Sequence, residues 1–248
     1  MNKCKITIFF LALFQSAICQ TSEKVSVLYN NENPSVTLTN IAFGSCFFQQ
    51  VYSPVIFSQI QKKNPQLYIA LGDNIYADNY LEDYEGNPLE SWESYIAMRY
   101  SQLGDSSLFK EFRSRVPIIA AWDDHDFGMN NSAGDFKHKQ ISKNAFFTFW
   151  NIPKQGKRWE QEGIYDSYYF GDAEHRVQII VLDLRWDLDN PGAEPISVIT
   201  DTTKKMMSNK QWDWLKEELK KPAKIRIICS STQFCTEHNG YEAWANFP

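Results

Sequence analysis

Asp123-Asp124-His125-Asp126 packs three carboxylates around one imidazole in four consecutive positions. Carboxylates this close repel one another unless a cation or a proton offsets the charge. Hard cations prefer carboxylate oxygens, so metal binding is the natural resolution. A solvated acidic turn is the plainer alternative. Against it, the run Ile118-Ile119-Ala120-Ala121-Trp122 delivers the cluster straight from what reads as a buried strand. A second cluster, Gly72-Asp73-Asn74-Ile75-Tyr76-Ala77-Asp78, follows the apolar run Leu67–Leu71 in the same way. Asp73 has two oxygens with which to bridge a pair of metals. Tyr76 can supply a phenolate, which requires a metal acidic enough to displace its proton and so favours ferric iron over calcium. Taken singly, Asp73 as a loop cap and Tyr76 as a core residue would be the safer readings. Cys46, close to a third strand end, adds a soft thiolate. Such a mixture suits one transition metal beside one or more hard cations.

The elements that must position these groups are legible as apolar runs rich in β-branched and aromatic residues: 41–43, 67–71, 116–121, 177–182 and 225–229. Continuous apolar runs bounded by turn residues are what strands covered on both faces look like. Helical spacing runs from Pro54 to Ile60, with Ser53 as cap, through Trp92, Tyr95, Ile96 and Arg99, and through Leu108, Phe109 and Phe112. Further helices are expected over 136–150 and 208–219, the last with Trp212, Leu215 and Leu219 on one stripe. Segments 164–170 and 176–182 read as an antiparallel hairpin about Gly171-Asp172. The result is an α/β layout with a partly parallel sheet between helices. Each strand run ends in a polar cluster: Gly44-Ser45-Cys46, Gly72-Asp73-Asn74, the Asp-Asp-His-Asp segment, Asp183-Leu184-Arg185 and Ser230-Ser231-Thr232-Gln233. Ligands of open α/β sheets bind outside the carboxyl ends of the strands, so these clusters are expected to converge on one site.

With 248 residues, 43% of them hydrophobic, the chain can build a substantial core as one domain. The net charge of -5 gives no basic footprint for nucleic acid. An anionic substrate would instead need bound cations. Lys3 and Lys5 precede the apolar run Ile6–Phe14 and the small residues Ser16 and Ala17, the order of a secretory signal peptide. Cleavage is expected after residue 19, leaving 20–248 as the catalytic domain, secreted or periplasmic and without a transmembrane segment. A lipoprotein acylated at Cys19 is the weaker alternative. Removal of Cys4 and Cys19 leaves Cys46, Cys229 and Cys235, an odd number for an oxidising compartment, so one should have a task other than intramolecular pairing.

Gly44-Ser45-Cys46, Gly72-Asp73-Asn74-Ile75-Tyr76-Ala77-Asp78 and Trp122-Asp123-Asp124-His125-Asp126-Phe127-Gly128 together resemble the alkaline phosphatase D family of secreted metallophosphatases. Weaker agreement continues through Leu182–Arg185, Ser231–Gln233 and Trp244–Pro248. The resemblance implies a four-layer sandwich of two mixed β-sheets flanked by helices, with Fe3+ and Ca2+ at the sheet edge. By it, Cys46, Asp73 and Tyr76 ligate iron, Asp73 is shared with calcium, Asp123 and Asp124 belong to the metal-binding cluster, and Asn130 completes the calcium shell. His125 takes the place of a phosphate-contacting general acid, and Asp126 orients its imidazole. The implied reaction is hydrolysis of a small phosphate monoester or diester by metal-activated hydroxide, without a serine nucleophile, so Ser45 and Ser231 are not expected to be catalytic.

The family pattern continues past Trp…Phe-Pro into a strand ending in Gly-Asp-x-His, whereas this sequence ends at Pro248. The expectation is therefore of an incomplete domain, weak or inactive alone. Neither His138 nor His175 has the context of the missing ligand; His238 follows the fifth strand closely enough to approach the site, but Glu237-His238-Asn239-Gly240 reads rather as an exposed turn. Two alternatives stand beside the phosphoesterase. A catalytically defective metal- or ligand-binding module on the same scaffold would bind calcium without iron. A glycosidase would need two carboxyl groups at a defined separation but has no use for Cys46 or Tyr76.

Overall fold

A computed structural model describes residues 31–48, 54–78, 91–192, 203–236 and 240–247. The leader segment, the Ser53 cap, the acidic stretch 80–86 and His238 lie outside the described residues. The described elements run β1 (Glu32–Asn33), β2 (Ile41–Gly44), α1 (Val55–Gln61), β3 (Leu67–Leu71), α2 (Trp92–Asp105), α3 (Ser107–Arg115) and β4 (Ile118–Ala121). They continue through α4 (Asp124–Phe127), α5 (Lys139–Phe149), β5 (Asp166–Phe170), β6 (Val177–Val181), α6 (Asn209–Lys220) and β7 (Ile225–Cys229).

The five apolar runs are all strands, and they divide between two sheets. One is wholly parallel in the order β2-β3-β4, and the other is mixed in the order β1-β5-β6-β7, with the expected β5–β6 hairpin antiparallel. Period-2 alternation sorts the side chains of the parallel sheet. Leu67, Ile69, Ile119 and Ala121 point inward to meet Phe170, Val177, Ile179, Val181 and Cys229 of the mixed sheet. Tyr68, Ala70 and Ile118 point outward to Ile96, Tyr100, Phe109, Phe112, Phe146 and Phe147 of α2, α3 and α5. On the far side, Ile180 packs with Met206, Met207 and Leu215. Helix, sheet, sheet, helix is thus the layer order, the sandwich the resemblance implied rather than the single sheet that the periodicity suggests. Burial on both faces explains the unbroken apolar runs of β3, β4 and β6, whereas β2 and β7 leave Phe43, Ile225 and Ile228 exposed.

Two local expectations are corrected. The stripe of α6 that faces the core is Gln211, Leu215 and Glu218, while Trp212 and Leu219 are exposed. Gln211 earns its burial by clasping the backbone of Asp183, accepting from its N–H and donating to its carbonyl, each at 2.8 Å. The helix expected from 136 begins at Lys139 instead, with His138 as its cap. Among the described residues no helix is long and apolar enough to cross a membrane.

Candidate active site

The exits of β2, β3 and β4 are bound to one another before any functional group is considered. Cys46 N–H donates to the Gly72 carbonyl at 3.1 Å, and Phe47 N–H to that of Asp73 at 2.8 Å. Gly72, at φ +117°, has no room for a side chain: a Cβ there would lie 2.7 Å from that of Asp123. Cys46 and Asp73 themselves sit at φ 58° and 50°, a left-handed conformation sparsely used by residues with side chains and commonest where function requires it. These reversals turn the Cys46 and Asp73 side chains back over the strand ends.

Beneath them Asp126 acts as a rivet. Its carboxylate accepts from Asn74 N–H at 3.1 Å, from the Asn74 amide at 3.2 Å, from Asp123 N–H at 3.2 Å and from the Tyr100 hydroxyl at 3.1 Å. Asn74 also donates to the Ala121 carbonyl at 2.8 Å. Burial pushes the Asp126 carboxyl up to about 7, with these donors pulling the other way. Asp126 therefore holds the β3 and β4 loops together, and the expectation that it orients His125 is corrected. Successive helical residues point about 100° apart, so the side chain after His125 aims inward, and the partner of the ring is Asp78, whose Oδ1 meets His125 Nδ1 at 2.5 Å.

Four of the five strand-end clusters reach one cavity of about 510 Å³ with the side chains foreseen: Cys46, Asp73 with Tyr76, Asp123 with Asp124, and Ser231 to Gln233; the fifth contributes Arg185. Asn130 lines it too, as do Asn131, Tyr241 and Glu242, which the sequence did not single out. Asn131 N–H donates to Asp124 Oδ2 at 2.6 Å. Asp73 Oδ2 has Tyr76 Oη at 3.3 Å and Cys46 Sγ at 3.7 Å. Ligand atoms of Asp73, Asp124 and His125 all lie within 4.8 Å of one another, a candidate metal cluster. Asp123 is committed elsewhere: its Oδ1 accepts from Arg185 Nε at 2.6 Å and from Ser231 Oγ at 3.1 Å. Cys46, Cys229 and Cys235 are all free thiols, so the odd cysteine count is met by leaving none paired.

The electrostatics of the cluster test its fit to a cation. Burial, reinforced by the charges of Asp123, Asp124 and Asp126, pushes the Asp73 carboxyl up to about 8. Burial and then the Asp73 charge raise the Tyr76 phenol as well, and burial raises the Cys46 thiol. The buried Asp73 Oδ1 has no hydrogen-bond partner. Three neighbouring acids held back from ionising, one with an orphaned oxygen, are what a metal site looks like without its countercharge. The residues fit. Asp124 behaves differently: burial opposes its charge, but Arg185, His125 and the Asn131 N–H outweigh that and lower it. Burial likewise opposes the charged His125 ring, yet the Asp78 hydrogen bond and the charges of Asp124 and Asp73 win and raise it to about 9.

The fold is a two-sheet α/β sandwich flanked by helices, with Asp73, Asp124 and His125 gathered at its strand ends. The family model for PhoD-like phosphatases matches residues 41–244, and the chain belongs to that family. A solved structure titled "Structure of PhoD" superposes with a TM-score of 0.61 at 19% sequence identity, covering 84% of this chain and 43% of that chain. This chain thus spans less than half the length of that one. Among curated proteins none matches this sequence.

Proposed function

We propose that this chain carries the catalytic core of an exported, metal-dependent phosphoesterase acting on small phosphate monoesters or diesters. Family membership supports phosphatase-type hydrolysis. The observation that carries the finer reading is the orphaned, proton-retaining Asp73 carboxyl beside Cys46, Tyr76 and Asp124. In this reading Cys46, Asp73 and Tyr76 hold ferric iron, and Asp73, Asp124 and Asn130 hold calcium. When bound, such cations supply Lewis acidity that eases ionisation of water and offsets charge on the phosphoryl oxygens.

The chain's own groups do the rest. Arg185 holds Asp123 in place and favours the charged form of Asp124. His125, held through Nδ1 by Asp78 at 2.5 Å, gives a proton to the departing alkoxide, a contribution of roughly 10²–10⁴-fold. Ser231 donates to the Asp123 oxygen that Arg185 already holds, which makes it scaffolding. The charged, apolar and small-residue order of residues 3–17 supports export.

Elemental analysis together with hydrolysis of p-nitrophenyl phosphate and bis-p-nitrophenyl phosphate tests the proposal. Iron near one equivalent with calcium, and turnover that is weak in this chain alone, rises when the native downstream region is added, and is lost on chelation and in Asp73→Asn, is the expected result. Turnover that survives both treatments would overturn it.

A further inference from the structure

Glu242 and Thr232 line the same cavity as Asp73, and the metal chemistry leaves both without a task. They are deeply buried, at 7% exposure for Glu242 and 6% for Thr232. Glu242 engages one carboxylate oxygen with Arg185, Oε2 lying 2.6 Å from Nη2. Its Oε1 has no hydrogen-bond partner, and neither has the Thr232 hydroxyl. Buried polar atoms are nearly always paired, so two orphans on one cavity wall require a reason.

The backbone makes them neighbours. Gln233 and Ala243 form an isolated parallel bridge, which sets the residues before each, Thr232 and Glu242, side by side on one face. Paired segments lie about 4.8 Å apart, close enough for both side chains to meet one ligand group. The pair is braced from both sides. Trp244 N–H donates to the Gln233 carbonyl at 3.0 Å, and Ala243 N–H to Asn246 Oδ1 at 2.7 Å. Ser230 Oγ donates to the Thr232 carbonyl at 2.5 Å and accepts from Trp244 Nε1 at 2.9 Å.

Charge decides what fits. Arg185 reaches Asp123 at 2.6 Å and Asp124 at 3.8 Å as well as Glu242, so one guanidinium faces three carboxylates. A neutral hydroxyl would pair with the orphaned atoms but leave the excess negative charge. An ammonium group does both, because it carries three donors and a positive charge. Tyr241, next in the chain, also lines the cavity, and aromatic rings hold ammonium groups well.

We propose that Glu242 and Thr232 form a subsite for the alcohol portion of the ester and that it takes a protonated primary amine, so that the substrates are phosphate esters of small amino alcohols. The inference rests on the phosphoesterase reading and names the alcohol that its site selects. The ammonium donates to Glu242 Oε1 and to Thr232 Oγ1, while the phosphoryl group lies against Asp73, Asp124 and His125. A cavity of about 510 Å³ has the size of a small-molecule site. Glu242 and Thr232 decide which ester is held and take no part in bond making at phosphorus.

The test compares 2-aminoethyl phosphate with propyl phosphate, which has the same shape but neither charge nor donor, on metal-loaded protein with the native downstream region in place. The ratio of their kcat/KM values is read in wild type and variants, so that the intrinsic reactivity of each ester cancels. Glu242→Gln is expected to lower the ratio roughly 10–100-fold, the scale of a hydrogen bond to a charged group. Thr232→Val, which touches no ion pair and keeps its volume, should lower it roughly 3–10-fold and decides the matter even where Glu242→Gln fails to fold. A ratio unchanged in Thr232→Val, or in a folded Glu242→Gln, overturns the inference while sparing the phosphoesterase reading. So does 2-hydroxyethyl phosphate turned over as well as the amine, because the subsite would then select a donor without charge. A wild-type protein that hydrolyses no ester overturns both.

Discussion

Arg185 Nε donates to Asp123 Oδ1 at 2.6 Å, and the two residues come from different sheets, Arg185 from the loop after β6 and Asp123 from the loop after β4. The same guanidinium reaches Glu242 Oε2 at 2.6 Å and Asp124 Oδ1 at 3.8 Å. Burial works against the charge on Arg185, but three carboxylates hold it firmly protonated. The fork of donors suits a group that must face several acceptors at once. Removing it strands buried carboxylates, so Arg185→Ala is expected to cost about 3–5 kcal/mol. Arg185→Lys, which keeps the charge without the fork, should cost less. Urea unfolding of the two variants measures the difference.

The pH dependence of the cation-free protein follows from the same crowding. The folded-state pKa of Asp73 is about 8 and that of Asp126 about 7, both above the ordinary carboxylate value. Between the unfolded and folded values the native state binds more protons than the unfolded one, so stability falls as pH rises. His125 acts in the same direction. Raised to about 9, it contributes stability fully present below its unfolded value and lost as pH passes through the folded one. Thermal midpoints of chelated protein should therefore decline steadily from mildly acidic pH to pH about 9. Metal-loaded protein should show a flatter profile, because ionised Asp73 then has its countercharge.

Cys46 and Asp73 should be separable by metal content. Cys46→Ser replaces a soft donor by a hydroxyl and is expected to lower iron while retaining calcium. Asp73→Asn removes a carboxylate that lies against Cys46, Tyr76 and the Asp124 cluster, and should lower both. Plasma emission analysis of the two purified variants distinguishes these outcomes. The intensity of any thiolate or phenolate charge-transfer band gives a second reading.

Gly72→Ala joins backbone to site. The backbone there is left-handed at φ +117°, and the added Cβ would lie 2.7 Å from Asp123 Cβ and 3.0 Å from Asp123 N. Neither neighbour is a flexible side-chain end. A cost of about 1–3 kcal/mol is expected from the conformation alone. Displacement of Asp123 should also loosen its contact with Arg185. Chemical denaturation checks the first effect and metal affinity the second.

A fifth expectation concerns the open side of the sandwich. Among the described residues β2 and β7 are the last strands of their sheets, and between them lies an apolar groove lined by Ile41, Phe43, Leu71, Ile227 and Phe234. Phe43 is 71% exposed and Ile225 57%. Unpaired strand edges flanked by exposed apolar side chains template association. Ile225→Lys is expected to reduce self-association in sedimentation and light scattering without lowering the melting midpoint.

β3, β4 and β6 were legible because burial on both faces writes itself as a continuous apolar run, β2 and β7 are apolar runs with exposed positions, and all five runs lie within a residue or two of their observed ends. Pro117 explains one shift: it lacks an N–H for the ladder, and β4 begins at Ile118. α6 was misread because amphipathic periodicity assumes that apolar residues face inward. Here a buried amide is rewarded by two backbone hydrogen bonds, and Gln211 displaces Trp212 from the core side. Cys46, Asp73, Tyr76 and Asp124 were found as cavity residues because each follows a strand closely in sequence, whereas Asn130 was named only through the family resemblance. Glu242, Asn131 and Tyr241 carried no such signal.

What the sequence determined by itself was therefore local: which segments extend, which residue types end them, and that the Asp-Asp-His-Asp cluster must be offset by a cation or a proton. Chain connectivity fixes those facts within a few residues. Which carboxylate serves which partner was decided only by the tertiary structure. Asp78 took the imidazole, Asp126 took the loop backbone, and Asp123 took an arginine 62 positions away. The physical reason is that hydrogen bonds reach only about 3 Å. Assignment among carboxylates crowded into one space is settled by the direction in which each side chain leaves the backbone, and that direction depends on how the two sheets pack.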